Sequence, residues 1–253
     1  APAAAHRLDL ASVSRQFART MNAALEAEGL VKRYGARTAV QDLSFSVPKG
    51  AIYGVLGPNG AGKSTTLRML VGVLKPSVGR IALMGGPVTR DRLRRVGYLP
   101  EERGLYRAMS ARAAIAYLAR LKGTSSRKAF KRADQLLEDH GLGHVRRKKI
   151  KTLSKGMAQK VQVLAAIAHE PEVILFDEPF SGLDPVNQRG LEETIGAQAE
   201  ATRSRARCLK RWRWRQARRC WKPTAISTSP RRLVRAASPL PKKLASTAIA
   251  AGA

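Results

Sequence analysis

Residues 57–64 read Gly57-Pro58-Asn59-Gly60-Ala61-Gly62-Lys63-Ser64, an unbroken G-x-x-x-x-G-K-[ST] pattern. An apolar run with β character, Ala51 to Leu56, leads into it, and a run with helical spacing, Thr65 to Leu74, leads out. A strand, a glycine-rich turn and a helix in that order turn the pattern into an expectation of phosphate binding. Glycines allow successive backbone N–H groups to close around phosphate oxygens, and the helix adds the positive end of its dipole. Lys63 then reaches the β and γ phosphates and Ser64 ligates Mg²⁺, with Thr65 counted as the next nucleotide-binding position. The competing reading is a glycine-rich turn with a solvated lysine. The flanking elements favour a nucleoside triphosphate.

A second stretch supplies the acids that such a site needs. Val173-Ile174-Leu175-Phe176-Asp177-Glu178-Pro179 is four apolar residues ending in two carboxylates. This is the pattern of a buried parallel strand that delivers charge at its C-terminal end. Asp177 is expected to hold Mg²⁺, and Glu178 to orient or deprotonate the attacking water. Alone, the stretch reads equally well as a strand end followed by a charged turn.

Upstream of that strand lies Leu153-Ser154-Lys155-Gly156-Met157-Ala158-Gln159, and after it Ser181-Gly182-Leu183-Asp184-Pro185. With these in place the chain resembles the ATP-binding subunit of an ABC transporter, from about Leu30 to about Ile195. The P-loop, a variant LSGGQ signature, the Walker B strand with its glutamate and the D-loop stand in the family's order. The resemblance implies that Ser154 and Gly156 contact the γ-phosphate, and that Asp184 belongs to the nucleotide site. Lys155 and Met157 replace the usual glycine and glutamine. Ser154 also reads as an ordinary helix N-cap, and both readings can hold.

Two more positions follow from the resemblance. Tyr34, in Val31-Lys32-Arg33-Tyr34-Gly35, stands where the family stacks an aromatic ring on adenine; its alternative is an exposed strand-end tyrosine. Glu101 takes the Q-loop place that usually carries glutamine, and a carboxylate can ligate Mg²⁺ there as an amide oxygen does. The acidic Q-loop and Lys/Met signature together look like a subgroup of bacterial export ATPases, similar to the sodium-exporter type.

The fold so implied is α/β: a P-loop NTPase core of ABC ATPase type, a small N-terminal antiparallel β part, and a helical subdomain over about 110–168. Two such domains are expected to pair head to tail, so that Ser154 and Gly156 of one close on the ATP held by Lys63 of the other. No uncharged apolar stretch approaches the ~18 residues of a membrane span. Transport would therefore require a separate transmembrane permease subunit, with this chain cytoplasmic and peripheral on the inner face of the membrane. Residues 1–20 lack an apolar signal core and read as an extension ahead of a start at Met21, with the ATP-binding domain over 21–196.

Charge divides the chain unevenly. Of the 253 residues and net +29, residues 197–253 hold 15 Lys+Arg against one acid, Glu200, for +14; the rest holds 32 against 17, for +15. That tail also contains Trp212, Trp214, Trp221, Cys208 and Cys220, with prolines at 223, 230, 239 and 241 and no apolar period over Arg203 to Lys222. It reads as disordered.

The family's switch histidine, which follows the Walker B strand, has no counterpart. The four histidines are His6, His140, His144 and His169, none of them after the D-loop, and Ser229 is a poorly spaced substitute. The strand bearing that histidine lies, in this class of fold, between the P-loop strand and the Walker B strand. Its absence is expected to leave C-terminal strands missing, two apolar edges exposed and the site weakened. One explanation is translation out of the ancestral frame from about residue 196. The alternative is a basic, Trp-containing arm that binds nucleic acid or anionic lipid.

Overall fold

The computed structural model describes residues 23–102, 104–180, 183, 188–193, 195, 196 and, as backbone, 247–251. Strands β1 (Ala23–Tyr34) and β2 (Arg37–Pro48) form a long antiparallel hairpin across a two-residue turn. Gly35 supplies the turn's positive φ of 57°, a region that side chains with a Cβ avoid. β4 (Val78–Leu83) pairs with the other edge of β1, and the short β5 (Gly86–Pro87) extends the sheet in the order β2-β1-β4-β5. Leu25, Ala27, Leu30, Val47 and Leu83 are buried from this sheet. They pack with Leu67, Met69 and Leu70 of helix α1 (Lys63–Leu70) and with Val96, Val173 and Leu175 of the second sheet.

The second sheet positions the site. It runs β3-β8-β7-β6, with β3 at Ile52–Gly54, β6 at Val96–Leu99, β7 at Val173–Asp177 and β8 at Thr247–Ala251. β6 and β7 are parallel, with Val96 opposite Val173 and Leu99 opposite Phe176. All five residues of β7 are buried. Covered on both faces, such a strand reads as a continuous apolar run rather than an alternating one.

A helical layer covers one side. Helix α2 (Arg90–Arg94) precedes β6; α3 (Ala111–Leu121), α4 (Ser126–Asp139) and α5 (Lys155–Ile167) follow it. Ser110 caps α3 by accepting from the Ala113 N–H at 3.3 Å, and Ser154 caps α5 by accepting from Met157 at 3.2 Å. Ala111, Ala114, Ala119, Ala129 and Ala133 are all buried, so small residues let α3 and α4 approach closely. The Arg112 guanidinium donates twice to the Asp134 carboxylate, at 2.6 and 2.8 Å, and fastens the pair.

One expectation needs correcting. The slot between the P-loop strand and β7 is not open: the backbone of Thr247–Ala251 occupies it, antiparallel to both neighbours. The cause lies in the tail's last residues, Leu244-Ala-Ser-Thr-Ala-Ile-Ala-Ala-Gly-Ala253, which carry no charge after Lys243. Two apolar strand edges with unpaired N–H and C=O groups are costly to leave unsatisfied, and an uncharged segment can pair with them. Judged by overall composition, the tail looks disordered; this end of it differs from the rest. The remainder of the 197–253 expectation, Ser229 included, lies outside the described residues, as do residues 1–22.

Candidate nucleotide site

The loop Gly57–Ser64 bridges β3 to α1, with Pro58, Asn59 and Gly60 exposed at its crest. Gly60 and Gly62 have φ of 80° and 87°. Gly62 is required by space as well: a Cβ there would stand 2.4 Å from the Ala39 carbonyl oxygen and 3.0 Å from Val40 Cγ2. That close approach seats the start of α1 against β2. The helix opens with no acidic residue in its first turn and no side-chain cap at Gly62. Its leading N–H groups and the positive end of its dipole are therefore left for an anion.

Lys63 is buried. Its ammonium curls back under the loop and donates to the carbonyls of Gly57 at 2.9 Å and Pro58 at 3.2 Å. The loop thus holds the cation on its inner side, from which a phosphate could draw it. Ser64 Oγ donates to Asp177 Oδ1 at 3.2 Å, joining two segments 113 residues apart in sequence.

Asp177 is 1% exposed, and its second oxygen, Oδ2, has no hydrogen-bond partner among the described residues. Its pKa is raised above the ordinary carboxylate value, chiefly by burial, with the Ser64 hydrogen bond opposing, Glu101 raising it further, and Arg68 and Lys63 lowering it. A buried, half-satisfied carboxylate beside a serine hydroxyl, with a second carboxylate acting on it, suits a hard divalent cation. The residues present therefore fit a Mg²⁺ and phosphate group.

Glu178 follows in the left-handed region, φ 48°, and is half-buried. A non-glycine residue held there is over-determined by its surroundings. Part of that hold is visible: Gln159 of α5 donates to the Pro179 carbonyl at 3.1 Å. Gln162 of the same helix donates to the Glu102 carbonyl at 3.1 Å. α5, which begins in the signature segment, is thereby tied to both carboxylate-bearing loops. Neither tie could be read from spacing, although Gln159 lies within the motif itself.

Lys63, Ser64, Asp177 and Glu101 thus come together in one place. Tyr34 lies at the end of β1, 48% exposed, with the Lys32 ammonium 5.2 Å from its ring centroid. Ser154 is exposed and Gly156 buried at the start of α5, and no hydrogen bond among the described residues joins either to the loop. Asp184 lies outside the described residues. β8 brings the backbone of Thr247 into register with Asp177, at the site end of the sheet.

His169, half-buried just past the end of α5, has its Nε2 3.2 Å from the Val96 carbonyl and so links that helix end to β6. Burial, then Lys122, push its pKa down to about 4, against a raising contribution from the Val96 hydrogen bond.

Residues 40–181 match the profile of the ABC transporter family, and this is more than half of the chain. The chain belongs to that family. It is 44% identical over 171 residues to an uncharacterized ABC transporter ATP-binding protein of Bacillus subtilis (strain 168), YhaQ, covering 68% of this chain and 57% of the relative. It is 38% identical over 174 residues to the linearmycin resistance ATP-binding protein LnrL of the same organism, covering 68% and 56%. Among solved structures, cbiO1 from Clostridium perfringens, part of the ABC transporter complex cbiONQ, superposes with a TM-score of 0.62 at 26% identity. That likeness covers 71% of this chain and 75% of the other. The chain spans somewhat over half the length of these curated relatives. Among the described residues, no helix is long and apolar enough to cross a membrane.

Proposed function

We propose that this chain is the nucleotide-binding subunit of an ABC exporter, which binds Mg-ATP on the Gly57–Ser64 loop and couples its hydrolysis to a separate transmembrane permease. The observation that carries the reading is the Ser64–Asp177 pair at 3.2 Å with Asp177 Oδ2 left unpartnered beside it. When bound, Mg²⁺ would supply positive charge against the phosphates during phosphoryl transfer. Ser64, Asp177 and Glu101 would hold it. Lys63 would exchange its two loop carbonyls for phosphate oxygens, while the N–H groups of Gly60, Gly62, Lys63, Ser64 and Thr65 close around them.

Glu178, next to Asp177 on a left-handed backbone, would orient the attacking water or receive its proton. Tyr34 offers an exposed ring on which a base can lie. Ser154 offers its O–H at an exposed helix start, since its oxygen accepts from Met157 and leaves the proton free to donate. With Gly156 and Asp184, it would serve the nucleotide of a second copy in a head-to-tail pair, the chain lying peripheral on the cytoplasmic face of the membrane. Export is supported by the resistance-type relative, and the sodium-exporter resemblance is the narrower version of the same reading. A nucleic-acid-binding role for the tail gains nothing from these relatives.

No histidine follows Asp184 in the sequence, so turnover should be slow by the ~10²- to 10⁴-fold that a general acid–base group contributes. A steady-state phosphate-release assay tests this. Slow turnover that Glu178→Gln abolishes, with ATP binding retained, supports the proposal. Turnover indifferent to Glu178→Gln would overturn it.

A further inference from the structure

Between α4 and α5 the chain reads His144-Val145-Arg146-Arg147-Lys148-Lys149-Ile150-Lys151, and Arg146, Arg147, Lys148, Lys149 and Lys151 are all exposed. Two short 3₁₀ turns, Gly143–Val145 and Ile150–Thr152, flank the run. Its backbone is fixed to the N-terminus of α3: Arg112 donates to the Arg146 carbonyl at 3.0 Å and Ala111 to that of Lys148 at 3.0 Å. Ile150 donates to Met109 at 2.9 Å and Lys151 to Arg107 at 3.1 Å. Val145 and Ile150 point into the core at 1% and 7% exposure. The cations are thus carried on a rigid platform.

None of the five has an acidic ion-pair partner among the described residues. The six ion pairs found there involve other side chains. The Glu138 carboxylate lies against Gly143 at the edge of the run. Beside it opens a cleft of about 480 Å³ lined by Gly143, His144, Arg146 and Arg147. Unpaired like charges held this close repel one another, so the arrangement stores a cost that a polyanionic surface would relieve.

We propose that the Arg146–Lys151 turn is an electrostatic docking site for the anionic phospholipid surface of a membrane. The chemistry favours lipid over other polyanions. Single-stranded nucleic acid binding uses aromatic platforms for base stacking, and the exposed ring nearest in sequence, Tyr106, is engaged edge-on with Tyr117 at 5.5 Å. A protein partner would want an apolar or aromatic anchor at the centre of the contact, and the apolar residues of this run are turned inward. An anionic bilayer needs only charge, and each basic residue near its surface raises partitioning about fivefold. The proposal rests on the proposed function only for the expectation that the chain works at a membrane.

The test uses the full chain and two variants that each remove four cations, leaving +25 in place of +29. One is R146Q/R147Q/K148Q/K149Q. The other, R211Q/R213Q/R215Q/R218Q, makes the same change in the tail. Co-sedimentation is measured with vesicles of phosphatidylcholine alone and of phosphatidylcholine with phosphatidylglycerol, and the affinities for Mg-ATP and for a single-stranded oligonucleotide are measured on the same samples. The expected result is a loss of about 600-fold, four factors of about five, in binding to anionic vesicles for the first variant only, with its ATP affinity at the wild-type value. That unchanged affinity also keeps a failure of this inference distinct from a failure of the nucleotide site. Wild-type partitioning of the first variant overturns the proposal. So do equal losses in both variants, or a loss confined to binding of a single-stranded oligonucleotide.

Discussion

Ile249→Pro tests whether the strand Thr247–Ala251 completes the central sheet. Ile249 is paired with Tyr53 of β3 on one side and Leu175 of β7 on the other, at the middle of a strand with no free edge. Proline removes the backbone donor there, and its ring disturbs a ladder in which proline is otherwise confined to edges. A buried carbonyl left without its donor costs ~1–3 kcal/mol, and the steric misfit adds to that, so a loss of about 3 kcal/mol is expected. Against a total stability of ~5–15 kcal/mol this is a large fraction. With a urea slope of ~3 kcal/mol per molar, the unfolding midpoint should fall by about 1 M. Ile249→Ala, which keeps the N–H, separates the backbone effect from the side chain and should fall by less. Equal midpoints for wild type and Ile249→Pro would refute the reasoning. They would show that the slot beside β7 does not depend on this segment, as the out-of-frame reading of the tail expects.

Other consequences follow from single contacts. His169 is held neutral in the fold, with a pKa of about 4 against ~6.5 in an unfolded chain. The unfolded state therefore binds the proton first as pH falls, and up to about 3 kcal/mol of stability is fully present above pH 6.5 and lost as pH drops towards 4. His169→Gln should flatten that part of the urea-midpoint profile relative to wild type; parallel profiles would count against it. Gly62→Ala places a Cβ 2.4 Å from the Ala39 carbonyl oxygen at φ 87°. It should lower stability by ~1–3 kcal/mol and weaken ATP binding, whereas a wild-type midpoint would show that the loop relaxes freely. Asp177 has a raised pKa, dominated by burial, so its charge destabilises the nucleotide-free fold. Asp177→Asn should unfold at equal or higher urea yet lose the gain in ATP affinity that Mg²⁺ confers, read by titration with and without EDTA.

The parts of the site that spacing alone specifies are the ones legible in sequence. Gly57–Ser64 and Val173–Pro179 are contiguous, and their chemistry follows from local geometry: a glycine-rich turn before a helix, and acids at the end of a buried strand. The Ser64–Asp177 contact is the meeting of those two predictions. Gln159 and Gln162 are different. Their partners, the carbonyls of Pro179 and Glu102, depend on how α5 lies across two loops, and no local pattern encodes that. The contact of His169 with the Val96 carbonyl is likewise tertiary, since nothing in the sequence beside His169 encodes the proximity of β6. The role of Thr247–Ala251 was hidden by averaging, since a tail of net +14 masks ten terminal residues that carry no charge. The hydrogen bonds from Lys63 to the Gly57 and Pro58 carbonyls were likewise invisible, because the motif assigns that ammonium a phosphate partner and says nothing of the loop's own carbonyls.

The central claim is that Gly57–Ser64 binds Mg-ATP through Lys63. Isothermal titration of the purified chain with Mg-ATP, set beside Lys63→Ala with its fold checked by circular dichroism, tests it directly. The account predicts saturable binding by the wild type and no measurable binding by a folded Lys63→Ala. Equal affinity in the two proteins would contradict it.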